Sequence, residues 1–390
     1  MAKIRNWNWP SFKKIKLPLW LRIVICALPV VFTILFYLLR SNSRVMGWFV
    51  LNISAPIRNF LAWVSSVYPF SIMEILIAAA IIWAIYFIIK SFALSSRRSG
   101  KFKIFGKRML TFATVIIYVW CIFIWLWNSG YFAPGFAERN GFSGEGVTVE
   151  ELTSVTWHFA ERANEFAERV DRDDDGRVVA DRNDILDIST RAFRNITREF
   201  PCLEGRLFRP KPMLFSWLMS RTGYSGVYFA LTGEANINRQ VPIFMLPAVV
   251  THEHAHHLGV FAEDEANFVA ILAAITSGFT IFEYSGYLFG LMQLMRPLQA
   301  ANPEAWSEIN NFLSPEVLGD WQENFEFWQA QRTVDTGIGF VDTALTALTE
   351  ATREAVNTMY DGFLRANRQE LGLKSYGAVV DLLVEYFARW

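Results

Sequence analysis

The residues most able to do chemistry in this chain form one short run, His252-Glu253-His254-Ala255-His256. Two imidazoles four residues apart on a helix project from one face and can grip a single Zn²⁺. A Glu beside the first imidazole can take a proton from a water that the metal activates. The chain has 5 His in all, and four of them lie between positions 252 and 257. The motif follows an apolar run, Pro242 to Val250, as suits a helix packed into a core. The bland alternative for the same residues is a helix carrying a few buried or surface His.

A catalytic zinc site needs a third protein ligand and an open fourth position. Gly259 follows His256 by three residues, and a Gly there lets the chain leave the helix and turn back, because it tolerates positive φ. The acids next in line are Glu263, Asp264 and Glu265, on what reads as the first turn of a second helix. A three-His site is excluded unless His158 folds back, since no His follows position 257. Glu263 and Asn267 are four apart and share a face. That arrangement resembles the Glu-x-x-Ala-Asp/Asn element of gluzincin peptidases, where the Glu binds zinc and the residue four later supports a ligand. The resemblance favours Glu263 as ligand and Asn267 behind it, with Glu265 as the other choice. Acids at a helix N-terminus are also favoured by the helix dipole alone. His254 and His257 receive no metal role.

These residues must be positioned by the rest of a chain of 390 residues, 53% hydrophobic and 16% aromatic, which is apolar for a soluble protein. The excess sits early. Ile23 to Leu39, Ile75 to Ile89 and Met109 to Trp127 are three apolar runs, each near the ~20 residues that cross a bilayer core. They predict membrane-spanning helices at about 19–39, 70–89 and 109–127, the first with Pro29 as a kink. The first run lacks the small-residue cleavage site of a signal peptide. Net charge is zero, but residues 1–130 hold 16 Lys/Arg and one acid, Glu74, leaving 21 basic and 36 acidic residues for 131–390. Lys3 to Lys16 and Lys90 to Arg108 carry most of the early basic residues, so the positive-inside rule puts the N-terminus and this loop in the cytoplasm. Membrane topology accounts for these clusters, and nucleic acid is not a predicted partner. The expected organisation is a membrane anchor over 1–130 and an extracytoplasmic domain over 131–390.

Within that domain, Val149 to Val170 and Ser189 to Arg198 read as helices. Gly223 to Gly233 and Ile237 to Leu246 read as a hairpin or strand pair around Thr232-Gly233-Glu234-Ala235-Asn236. Asp171 to Gly176 has the D-x-D-x-D-G start of a calcium loop, but Arg182 stands where a bidentate Glu is needed, and a solvated turn fits better. Asn267 to Met295 is interrupted by Gly278, Glu283 and Gly286 and reads as a buried helix pair. Ser314-Pro315-Glu316 is a helix start, and breaks are expected near Gly337 to Gly339 and at Gly372. Cys26 and Cys121 fall in the apolar runs and Cys202 stands alone, so no disulfide framework forms within one chain. Val45 to Val67 suits an amphipathic helix at the outer membrane surface.

The chain is similar to a family of bacterial membrane proteins, the domain of unknown function 3810 family. The resemblance lies in Pro69 to Leu76, Gly226 to Asn236, His252 to His256, Glu263 to Phe268, Tyr284 to Tyr287 and Met359 to Leu364. Ala230 departs from it, where a Pro is expected. The family implies N-terminal spans and an outer zincin-like domain in a mainly α, partly α+β, fold of the bacterial cell membrane. It names no substrate.

The function expected from these readings is a membrane-anchored zinc metallopeptidase acting on a peptide or protein. His252, His256 and Glu263 (or Glu265) would hold Zn²⁺, Glu253 would serve as general base and then proton donor, and Tyr284 or Tyr287 would donate to the oxyanion. The alternative is a membrane receptor or scaffold with a structural zinc site, which a closed set of four ligands would favour. A transporter is disfavoured, because the spans are few and carry no charge at mid-membrane. The charge asymmetry predicts that a membrane-impermeant thiol reagent, applied to intact cells, labels a cysteine placed near Arg332 and not one near Arg98. Labelling near Arg98 would overturn the topology.

Overall fold

The computed structural model describes residues 18–96, 101–144, 146–333, 339–367, 369 and 378–388. The expected breaks at Gly337 and Gly372, and the basic residues 3–16, 97 and 98, lie outside them. The fold is mainly helical with one small sheet. The first helices are α1 (Leu19–Leu39), α2 (Ser43–Phe49), α3 (Ala55–Ser66), α4 (Ile72–Ser96) and α5 (Lys101–Leu126). A π-helical turn, Val50–Ser54, joins α2 to α3.

Among the described residues, two helices are long and apolar enough to cross a membrane, Ile72–Ala93 within α4 and Phe105–Leu126 within α5. Three were expected. The described apolar part of α1, Ile23–Leu39, is shorter. α1 lies along α5, where the Tyr118 hydroxyl donates to the Ile25 carbonyl at 2.8 Å and the Trp125 indole N–H to that of Phe32 at 3.1 Å.

The remaining helices are α6 (Phe136–Asn140), α7 (Val149–Ala167), α8 (Arg182–Ile188), α9 (Ile196–Glu199), α10 (Ser216–Thr222), α11 (Leu246–His257), α12 (Glu263–Ile275) and α13 (Thr280–Ala301). They are followed by α14 (Pro303–Phe312), α15 (Pro315–Ala330), α16 (Gly339–Ala366) and α17 (Ala378–Phe387). α7 opens with a capping box in which Thr148 and Glu151 each accept from the other's backbone N–H, satisfying two otherwise orphaned donors. From Phe268 onward α12 is apolar all round, and it is buried from Ala266 to Ile275, as befits a helix surrounded by others. α13 is separated from it by the turn at Thr276–Phe279, so the expected buried pair forms without a further candidate span among the described residues. The expected helix over 189–198 is instead a 3₁₀ turn at Ser189–Arg191 and the short α9. Asp171 to Gly176 is an exposed turn in which Asp173 Oδ1 accepts from the Asp175 and Arg177 amides.

The sheet has strand order β1-β3-β2, with β1 (Lys211–Pro212) parallel to β3 (Glu234–Ile237) and β2 (Gly226–Phe229) antiparallel to it. The expected strand over Ile237 to Leu246 runs instead into a 3₁₀ turn at Ile243–Met245 and the start of α11. A hairpin β2–β3 does form, but its second strand is Glu234–Ile237, largely inside the stretch read as the connection. Its far edge is tied to the start of α4 by buried charge. Glu234 accepts from the Ile72 and Met73 amides at 3.0 and 2.9 Å, and lies 3.1 Å from Lys211 Nζ. Lys211 also donates to the Ser65, Tyr68 and Phe70 carbonyls. Core packing likewise crosses residue 130. Phe36, Ile124 and Trp127 share one cluster with Tyr228, Phe261 and Leu364.

Removing one member of a buried ion pair strands the other, at a cost of about 3–5 kcal/mol. Glu234→Ala should therefore lower the thermal unfolding temperature of the detergent-solubilised protein sharply, and Glu234→Gln less so. An unchanged transition in Glu234→Ala would show that the sheet and α4 are not joined in this way.

Candidate metal centre

α11 starts with Pro247 in its first turn and ends at His257, so His252 and His256 fall one turn apart on the same face. Their rings are 4.6 Å apart and nearly perpendicular. His256 Nδ1 is 2.8 Å from the Val260 carbonyl, which fixes the ring and leaves Nε2 as the free donor atom. Gly259 then carries the chain through φ +91°, a left-handed value that strains any other residue. The chain doubles back over four residues and α12 begins at Glu263.

Glu263 meets both imidazoles. Its Oε2 is 3.2 Å from His252 Nε2 and its Oε1 3.6 Å from His256 Nε2. One ligand atom from each residue can be chosen so that all three lie within 4.8 Å of one another. Burial alone would favour a neutral Glu263 carboxyl, but the two imidazoles outweigh it and hold the group well below the usual carboxylate range. Burial likewise opposes charge on His256, yet Glu263 lifts its pKa to about 9. Two neutral imidazole nitrogens and a carboxylate are a known donor set for Zn²⁺, and the three atoms converge without rearrangement of the backbone. The residues present fit the ion.

Glu253 lies beside the trio. Burial lifts it to about 7, against the pull of His252 and His256. Its Oε2 has no hydrogen-bond partner. A Cβ on Gly226 of β2 would sit 2.4 Å from Glu253 Oε1, so only glycine lets the strand approach this carboxylate. The open side is a cavity of about 830 Å³ lined by all four residues, by β2, by Val249, Phe289 and Met292, and by Phe123, Trp127 and Tyr131 from the end of α5 and the turn after it. The Trp127 ring stands edge-on to His256 at 5.6 Å.

Other expected residues lie elsewhere. The Glu265 carboxylate accepts from the Phe136 and Ala137 amides at 2.8 and 2.9 Å. It caps α6 and is turned from the trio, because two residues on a helix rotate a side chain by about half a turn. Tyr284 donates to Asp320, which pairs with Arg172, and Tyr287 stacks on Phe166 at 5.6 Å. Neither Tyr lines the cavity. His158 packs against Tyr287 and Phe387. His254 Nε2 is 3.0 Å from Ser189 Oγ and His257 Nε2 3.0 Å from the Arg206 carbonyl. Asn267 lines the cavity but its Nδ2 has no partner, and neither has His252 Nδ1. The expected support of a ligand by Asn267 is thus not made through a hydrogen bond from its amide.

Two contributors were not foreseen. Tyr360, on α16, donates to Glu263 Oε1, and it lies in the Met359 to Leu364 stretch that carries the family resemblance. Arg58, on α3, is buried and directs Nη1 at the His256 and His257 carbonyls, 3.4 and 3.5 Å away. A cation there answers the unpaired carbonyls at the end of α11. Only its charge marked it, in a stretch with no other charged residue from Val45 to Met73.

In competition with a chelator, Glu263→Ala should weaken zinc binding far more than Glu265→Ala. The latter should lower stability by about 1 kcal/mol, as loss of a helix cap does. The opposite order of affinities would place Glu265 at the metal.

A family described as protein of unknown function (DUF3810) matches residues 49–384. No curated protein and no solved structure matches the chain. The match runs from before α3 into α17, including Arg58, the trio, Glu253 and Tyr360, and so the chain belongs to the DUF3810 family.

Proposed function

We propose that the protein is a membrane-anchored zinc metallopeptidase. The observation that carries the reading is the convergence of His252, His256 and Glu263 beside an unpartnered Glu253 on the wall of an open cavity. Bound there, Zn²⁺ would act as a Lewis acid, polarising a carbonyl and acidifying water. Glu253 lines the same cavity and its Oε2 has no competing donor, so it can accept a proton from water and return it to the leaving amine. Phe123, Trp127, Phe289 and Met292 make the cavity largely apolar, which favours bulky apolar side chains in the substrate. Tyr284 and Tyr287, expected as donors to the oxyanion, do not line the cavity, whereas Tyr360 does and its hydroxyl donates to Glu263.

The zincin-like reading of the domain also rests on this site, with the sheet edge β2 beside the α11 helix. α4 and α5 both meet the domain at one end, Ile72 and Leu126, while the basic loop lies between their other ends. This supports an extracytoplasmic domain in a multi-pass protein of the bacterial membrane. The receptor reading would need a fourth protein ligand. Glu265 and His158, the expected sources, are engaged elsewhere, which favours the enzyme.

Purified protein should carry about one zinc per chain, absent in the double variant His252→Ala/His256→Ala. Glu253→Gln should retain the metal and lose peptide hydrolysis by about 10²-fold or more. Wild-type cleavage rates in Glu253→Gln would end the catalytic reading. A zinc-loaded wild type that cleaves nothing in a diverse peptide library would favour the receptor.

A further inference from the structure

Helix α10 has its polarity inverted. Its inward face carries Ser216, Met219 and Ser220, all buried. Ser216 Oγ donates to the Met213 carbonyl and accepts from the Arg239 amide. Ser220 Oγ donates to Gln240 Oε1 and accepts from Asn238 Nδ2. The outward face, with its lead-in, is Leu214, Phe215, Trp217 and Leu218, exposed by 65%, 48%, 53% and 47%. Four large apolar side chains in a row facing water would be an aggregation liability in a soluble protein. Polar-in, apolar-out is the pattern of a surface that meets lipid.

The position of the patch says what covers it. Glu74, in the first turn of α4, accepts from the Leu214 and Phe215 amides at 3.0 and 2.8 Å. Met73 packs with Met213 and Met219. The patch is thus fastened to the first turn of the apolar stretch Ile72–Ala93. Exposed Ile75 and Leu76 on α4, and Tyr68 and Phe70 just before it, are its neighbours in the chain around that junction. Lipid that surrounds α4 must also reach the outward face of α10.

We propose that Leu214, Phe215, Trp217 and Leu218 are immersed in the interfacial layer of the phospholipid leaflet on the side of residues 131–390. α10 runs directly into Gly223, Tyr224 and Ser225, which line the cavity. The cavity wall they form therefore sits at the lipid surface. A polypeptide entering there would be one held at the membrane, a consequence that rests on the peptidase reading. The lipid contact itself does not.

The test uses the full chain with Cys26, Cys121 and Cys202 replaced by Ser, reconstituted in phosphatidylcholine/phosphatidylglycerol nanodiscs. A nitroxide label is placed on Leu218→Cys, on Trp217→Cys as an independent position, and on Asp174→Cys in the exposed turn. Power saturation should show the labels at 217 and 218 several-fold more accessible to oxygen than to a water-soluble nickel chelate, and the label at 174 the reverse. A water-like profile at 217 and 218 overturns the proposal. Protection from both reagents, with the mass of a dimer, overturns it in favour of a second copy of the chain. Zinc content measured on the same samples keeps the result separate from the metal site.

Discussion

A carboxylate buried away from water needs a positive or strongly donating partner, and Glu263 is the place where this protein concentrates that need. It lies between two imidazoles and under the Tyr360 hydroxyl. Each neighbour comes from a different part of the fold. α11 supplies the imidazoles through its 3.6-residue period, the Gly259 turn brings Glu263 back to them, and α16 closes over the carboxylate. Without a metal the charge is balanced by proton uptake, with His256 pushed to about 9. A divalent cation at the same point would satisfy all three ligands at once.

The same requirement explains how the N-terminal apolar helices hold the site. Glu265, Glu234 and Glu74 are all buried, and each is spent on a pair of backbone amides in another element. These bonds join α12 to α6, β3 to α4, and α4 to α10. Arg58 makes the complementary link, from α3 to the carbonyl end of α11. The cavity wall at Phe123 and Trp127 follows from these ties. These helices are part of the site, not a separate attachment to it.

What the sequence made legible was local. His252, His256 and Glu263 follow from helix period and one glycine turn, all within twelve residues, and the cap at Ser314 is equally short-range. The second strand of the hairpin, by contrast, was placed too late, at Ile237 to Leu246 instead of Glu234–Ile237. Long-range partners were not legible. Glu265 looked as good a ligand as Glu263, because its true partners, Phe136 and Ala137, lie some 130 positions away. Tyr284 and Tyr287 were close to the motif in sequence but face Asp320 and Phe166, while Tyr360 was in the recognised Met359 to Leu364 stretch with nothing to show where it pointed. The first apolar run was read as a span by its composition, but its described apolar part, Ile23–Leu39, is shorter than the other two. The inverted face of α10 went unseen because Leu214 to Leu218 has the composition of a core segment, and only burial distinguishes core from lipid.

The central claim is that two imidazoles and one carboxylate form a metal site. X-ray absorption at the zinc edge, on purified protein in detergent, tests it most directly. The account predicts a low-coordinate shell of nitrogen and oxygen near 2.0–2.1 Å with the scattering pattern of two imidazoles. A shell containing sulfur, or one of oxygens only, would contradict it.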